Sequence, residues 1–373
     1  MCMKKNIFWG TFLLTACMVC SCSQEEVVSE VTTNQAISFD TYVGRNAQTR
    51  ASVATETTLE GSDEGFGVFG YYTEDDDWSS SAKPNFMYNQ QVTYDDTESA
   101  WGYDPIKYWP DGNISFYAYA PYSENGYTLS ANNVAGAPTL TYTMPDEVED
   151  QVDLLISDKR LDQTIANPVV GFTFYHALSR IGFAIKAEAK ALDNATSVKI
   201  TSITLSGKFA KSNMVTLGTP SSTSPASWGT ATLSDTKIGY ELTDDMLASA
   251  SISPTATPTS LNSEKGYLML LPQAYNTTGN ELSLTMVYNL ETTDTKLDGG
   301  KFSATYTCTA EDIEVNFEPG KAYTFVFVLK AASDGDDPND PSDDVDPTFT
   351  PVQFNVIDVE EWDENTTPIE IPE

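Results

Sequence analysis

The chain has 373 residues, of which 40% are hydrophobic and 11% aromatic, so it is long and apolar enough for two packed domains of ordinary size. Its 54 acidic residues outnumber the 20 basic ones, and the net charge of −34 argues against nucleic acid or anionic membrane as partners. Four of the five cysteines lie in the first 22 residues, so a chain without that segment keeps only Cys308 and forms neither an internal disulfide nor a cysteine metal site.

The first 21 residues read as a secretory signal. Lys4 and Lys5 precede an apolar run, residues 7–19, that is short for a membrane span, although an ordinary transmembrane anchor is the alternative. The cysteines at its end predict a bacterial lipoprotein that carries lipid on Cys22. Cys17 fits the small-residue rule better and stays the alternative, but a cut before it would leave apolar residues and spare thiols at the mature start.

The next segment, residues 22–50, contains one predicted strand. The run Ile37-Ser38-Phe39-Asp40-Thr41-Tyr42-Val43 alternates with period two, so Ile37, Phe39 and Val43 share one face, as in a half-buried strand. Polar residues follow as far as Arg50 and Ala51.

Short alternating or apolar runs then recur, separated by turn residues. They cover residues 66–72, 114–120, 139–144, 169–174, 181–187, 198–205, 267–271, 282–288, 301–307 and 323–329. This spacing and the richness in Thr, Val, Tyr and Phe predict an all-β chain of β-sandwiches. We expect one sandwich over residues 51–190 and a second over residues 191–332, with a turn or two of helix at residues 177–181.

Residues 333–347 read SDGDDPNDPSDDVDP and predict an extended linker, because like charges repel and proline blocks strand pairing. A calcium loop is the alternative, but prolines interrupt the ligand spacing and no glutamate stands where an EF-hand loop would need it. In the last segment, residues 348–373, a second alternating run places Val352, Phe354 and Val356 on one face, and Ile369 and Ile371 follow.

No catalytic apparatus is visible in the sequence, and we expect no enzyme activity, cofactor or metal. The single histidine, His176, has no partners at triad or metal-ligand spacing and fits a satisfied histidine at a strand end. The many carboxylates leave a glycosidase open. An aromatic cluster suits core packing better than sugar stacking; it consists of Trp101, Tyr103, Tyr108 and Trp109.

Several short motifs in a fixed order resemble those of the fimbrillins, the type V pilins of Gram-negative anaerobes. They are Thr49-Arg50-Ala51, Gly65-Phe66-Gly67-Val68-Phe69, Tyr108-Trp109-Pro110, Ile114-Ser115-Phe116-Tyr117-Ala118-Tyr119, Asp153-Leu154-Leu155, Phe174-Tyr175-His176-Ala177-Leu178-Ser179, Leu271-Pro272-Gln273 and Pro319-Gly320-Lys321-Ala322-Tyr323-Thr324. Each motif alone is weak, but their order and spacing over nearly the whole chain are fairly specific.

The resemblance implies two tandem transthyretin-like β-sandwich domains, an N-terminal propeptide strand and a C-terminal donor-strand segment. It implies a surface-exposed precursor on the cell outer membrane, held there by lipid on its acylated cysteine. An arginine-specific protease would cut between Arg50 and Ala51, and the C-terminal strand of another copy, or of a related pilin subunit, would replace the lost strand in a fimbrium. Adhesion to a host or bacterial surface ligand would follow.

The residues themselves support strand replacement in one respect. Ile37-x-Phe39 and Val352-x-Phe354 both place a β-branched residue and then a phenylalanine on one face of a strand. A strand tethered in its own chain has an effective concentration of about a millimolar or more, so a free donor could compete only after a cut. The linker, fifteen residues at about 3.1 Å each, spans about 45 Å. A monomeric surface lipoprotein that binds glycans is the alternative function.

Overall fold

The computed structural model describes residues 35–43, 56–124, 126–187, 195–218, 226–248, 256–263, 266–275, 279–293, 302–329, 353–354 and 358–361. Within these residues the fold is all-β, as the sequence predicts, with one short helix, α1 (Glu56–Glu60), and two single 3₁₀ turns, Val148–Asp150 and Asp244–Met246.

The first ten strands cover the N-terminal half. They are β1 (Ser38–Val43), β2 (Phe66–Glu74), β3 (Met87–Asp95), β4 (Ala100–Gly102), β5 (Asn113–Ala120), β6 (Thr128–Leu129), β7 (Thr139–Thr143), β8 (Leu155–Ser157), β9 (Arg160–Gln163) and β10 (Val169–His176).

The other strands follow from residue 179. They are β11 (Ser179–Ala187), β12 (Thr196–Gly207), β13 (Ala210–Thr216), β14 (Ser227–Trp228), β15 (Thr232–Leu233), β16 (Ile238–Thr243), β17 (Thr259–Ser260), β18 (Leu268–Leu270), β19 (Gln273–Tyr275), β20 (Leu282–Thr292), β21 (Phe302–Ile313), β22 (Val315–Phe317), β23 (Lys321–Leu329), β24 (Gln353–Phe354) and β25 (Asp358–Glu361).

The largest sheet has the order β1-β10-β8-β5-β2-β3-β4, with β9 beside β5. A second sheet runs β17-β11-β23-β24, where β18 also pairs with β11 and β25 with β23. The remaining sheets are β16-β12-β20-β21, β14-β13-β7-β6 with β15 on β13, and the pair β19-β22.

The central strands of the largest sheet are buried on both faces, which is why β2 and β5 are apolar at nearly every position. Because side chains alternate, Phe66 and Phe116 belong to one hydrophobic core, whereas Tyr71 and Tyr117 belong to another. The first core is small and rich in aromatic rings, and we call it the aromatic core. It includes the inner face of β1.

Strands on either side of residue 190 pair with one another, β7 with β13 and β11 with β23. A domain boundary at residue 190 is not tested by these pairs, and the domain limits expected from the sequence stay a prediction. The expected helical turn at residues 177–181 is wrong. The N–H of Ala177 donates to the carbonyl of Leu154, the N–H of Gly320 donates to that of Leu178, and β11 begins at Ser179.

Candidate functional site

Strand β1 lies at the edge of the largest sheet and pairs in parallel with β10, from Ser38 opposite Val169 to Val43 opposite Phe174. Its inner face consists of Phe39, Thr41 and Val43, and Ile37, directly before the strand, continues that face; all four are buried, whereas the outer face carries the exposed Asp40 and Tyr42. The alternation read from the sequence therefore corresponds to the observed faces of the strand.

Phe39 contacts four rings of the aromatic core and the strap. Its ring centroid lies 5.4 Å from that of Tyr103, 5.8 Å from Phe116, 5.9 Å from Phe172 and 6.2 Å from Phe66. Aromatic pairs at such separations attract beyond the gain from area burial. The side chain of one edge strand thus completes a cluster built by β2, β5 and β10.

Residues 103–109, which we call the strap, hold the start of β1 on the side away from β10. The N–H of Ile37 donates to the carbonyl of Lys107 at 3.0 Å, and the N–H of Trp109 donates to the carbonyl of Gln35 at 3.0 Å. On the β10 side the N–H of Ser38 donates to the carbonyl of Pro168 at 3.4 Å. The first residues of the strand are therefore hydrogen-bonded on both sides.

The hydroxyl of Tyr103 ties the strap to β1. It donates to the carbonyl of Ile37 at 3.0 Å and accepts from the N–H of Lys107 at 3.3 Å. Burial raises the pKa of Tyr103 above its usual value, although the hydrogen bond from Lys107 opposes the shift. The group is therefore a neutral donor at physiological pH.

Thr41 differs from its neighbours on the inner face because it is polar. Its side chain is 5% exposed, and among the described residues no hydrogen-bond partner reaches its hydroxyl. It lies opposite Phe172, itself fully within the aromatic core. Sequence reasoning missed this residue because it counted only the apolar members of the alternating run.

We call the space that β1 occupies the slot. It is bounded by β10, the strap and the rings around Phe39. Its walls are backbone hydrogen-bonding groups along one edge and apolar rings beneath. Such a surface binds an extended segment, by main-chain pairing and by pockets for alternate side chains.

The C-terminal segment lies elsewhere. Strands β24 and β25 pair antiparallel with β23, with Phe354 opposite Phe327 and Glu361 opposite Lys321. The slot and this segment therefore belong to different sheets. The other predicted site residues, Cys17, Cys22, Arg50, Ala51, Val352, Val356, Ile369 and Ile371, are outside the described residues, as is the linker of residues 333–347.

The other candidate residues, the single histidine and the aromatic cluster, lie mostly in packed or hydrogen-bonded positions. His176 ends β10, is buried, and has its Nδ1 2.9 Å from a carboxylate oxygen of Asp153. Trp101 and Trp109 are buried in the aromatic core, whereas about half of Tyr108 is exposed. Among the described residues no group of three or more His, Cys, Asp or Glu side chains is placed to hold a metal ion.

The chain is similar to several known proteins. The model of the fimbrillin-like family matches residues 49–342. A fimbrium subunit, Fim1C of Phocaeicola vulgatus, is 35% identical over 182 residues, which are 44% of this chain and 47% of that protein. The chain thus spans about half the length of the curated relative it matches.

The crystal structure of a fimbrial protein from Bacteroides vulgatus is also similar. It superimposes with a TM-score of 0.62 at 25% sequence identity, and the match covers 88% of this chain and all of that one.

Proposed function

Because the chain belongs to the fimbrillin-like family, we propose that it is a structural subunit of a cell-surface fimbria and that it polymerises by exchanging strands at the slot. Membership of this family makes it a structural protein rather than an enzyme. The proposal includes export as a lipoprotein acylated at Cys22, a cut after Arg50, and two transthyretin-like domains over residues 51–190 and 191–332.

The observation that carries the proposal is the position of β1 in the chain and in the sheet. The strand ends at Val43 and helix α1 begins at Glu56, so a cut after Arg50 would leave β1 attached only by non-covalent contacts. Those contacts are with β10, the strap, strand β4, helix α1 and the rings of the aromatic core. Among the described residues β10 is the one strand that β1 pairs with. Release of β1 is therefore possible without breaking any other strand pair of the sheet.

An empty slot would not stay empty. The rings of Phe66, Phe116 and Phe172 would face water, and burying each of the three apolar side chains of β1 contributes roughly 1.5–3 kcal/mol. A replacement strand recovers this burial and the pairing with β10. The alternating run Val352-x-Phe354-x-Val356 of a second copy has the pattern required.

The direct test is to express wild type and Arg50→Ala in a host that carries the arginine-specific protease, and to sequence the N-terminus of the surface protein. Wild type should start at Ala51 and run as a ladder of polymers on non-denaturing gels. Arg50→Ala should remain an uncut monomer, and Arg45→Ala, five residues away in the same polar stretch, is the matched control and should still polymerise.

The proposal would be wrong if Arg50→Ala polymerised as well as wild type. It would also be wrong if the mature wild-type protein remained a monomer that binds a polysaccharide, which is the behaviour expected of a glycan-binding surface lipoprotein.

A further inference from the structure

We propose that Thr41 is a built-in mismatch that weakens the hold of the slot on β1, so that the strand can be displaced by one with an apolar residue at that position. For the displacing strand this inference rests on the proposed function. For β1 itself it depends only on the geometry of the uncut chain.

The hydroxyl of Thr41 is costly to bury. Thr41 faces inward between Phe39 and Val43, is 5% exposed, and has no hydrogen-bond partner for Oγ1 among the described residues. A buried polar group without a partner loses its bonds to water and regains nothing. The other inward residues of β1 are all apolar and bear no such cost.

The N–H of Thr41 donates to the side chain of Asp40 at 2.9 Å, within the same strand. The strap contacts Gln35 and Ile37 but ends before this position. The mismatch therefore lies in the part of β1 that the strap does not reach, where the strand would begin to dissociate.

The two alternating runs differ at the position of Thr41. If Phe354 of a second copy takes the place of Phe39, Val352 takes that of Ile37 and Val356 takes that of Thr41. Valine has nearly the shape of threonine but no hydroxyl. The same alignment puts Asp358 at the place of Val43, so the comparison concerns the three positions from Ile37 to Thr41.

The test of the mismatch uses the uncut precursor. Thr41→Val should raise its folding equilibrium constant roughly 5- to 150-fold in urea titrations, because removal of an unsatisfied buried hydroxyl recovers about 1–3 kcal/mol. Thr41→Ser, which keeps the hydroxyl, should not be stabilised. Thr173→Val, the same change at a half-buried residue on the adjoining strand β10, is the matched control and should change the constant by about twofold or less.

The displacement is tested on precursor cut after Arg50. A fluorescent label on the N-terminal fragment reports its release when an excess of a synthetic peptide of residues 348–373 is added. Thr41→Val should slow release by about the same factor as it raises precursor stability. A peptide carrying Val356→Thr should displace the wild-type fragment more weakly than the natural peptide does.

The two ideas can fail separately. If Thr41→Val leaves precursor stability unchanged, or if Thr173→Val stabilises it equally, the mismatch is refuted, whereas the cut wild-type chain can still exchange strands. If the cut wild-type chain never releases its fragment to the peptide, strand exchange is refuted, even where Thr41→Val stabilises the precursor.

Discussion

Phe39 is the residue on which the fit of β1 depends most. It contributes a ring that meets four others from three strands and the strap, whereas Tyr42, three residues later in the same strand, is 52% exposed. The contrast follows from the two-residue period of a strand, which sends neighbouring side chains to opposite faces.

Phe39→Ala should destabilise the uncut precursor by about 3–5 kcal/mol, because it removes the ring and leaves a cavity among aromatic side chains. Tyr42→Ala should cost about 0.5 kcal/mol or less. Chemical unfolding followed by tryptophan fluorescence measures both, since Trp101 and Trp109 lie in the aromatic core. Equal effects of the two substitutions would contradict the assignment of faces. After a cut that releases β1, the effect of Phe39→Ala should disappear.

At the scale of elements, the sequence predicts the strands that form the slot but not which of them become neighbours. The alternating runs that predict β1, β2, β5 and β10 are short-range patterns, and each strand is found at or near its expected limits. What a pattern does not contain is which strands become neighbours. The parallel pairing of β1 with β10 joins segments more than 120 residues apart, and no local signal specifies it.

The role of the strap is not predicted, for a related reason. Because Tyr103 and Trp109 are aromatic, the sequence predicts core packing for them, and Trp109 is indeed buried in the aromatic core. The bond from the hydroxyl of Tyr103 to Ile37 spans 66 residues of sequence and depends on the tertiary fold. The helical turn predicted at residues 177–181 shows the converse. Ala and Leu favour a helix locally, but the backbone groups of Ala177 and Leu178 bond to Leu154 and Gly320 instead.

Strand β23 should respond when the C-terminal segment is deleted. It pairs with β11 on one side and with β24 and β25 on the other, so deletion of residues 348–373 exposes one of its edges. Amides of residues 321–329 that point to that edge should then exchange with deuterium roughly tenfold faster or more. Strand β20, which keeps β12 and β21 on its two sides, is the internal control. Unchanged exchange in β23 would mean that β24 and β25 do not protect it in solution.

For the whole molecule, the charge of −34 sets how readily two copies meet. Residues 1–50 contain four basic residues (Lys4, Lys5, Arg45, Arg50) and four acidic ones (Glu25, Glu26, Glu30, Asp40), which cancel, so a subunit that starts at Ala51 still carries −34. Maturation would therefore empty a slot without relieving the repulsion between subunits. Under the proposed function, assembly would thus meet two separate barriers, the covalent connection of β1 and the electrostatic repulsion between subunits.

Polymerisation of the cut subunit should consequently accelerate with salt. The Debye length falls from about 30 Å at 0.01 M to about 8 Å at 0.15 M, so two like-charged subunits repel over a shorter distance. We expect the assembly rate, followed by light scattering, to rise about tenfold or more over this range. The stability of the uncut precursor is the control and should change far less, since β1 contributes only the charge of Asp40 to its own docking. Slower assembly at higher salt would instead point to attraction between oppositely charged patches at the contact between copies.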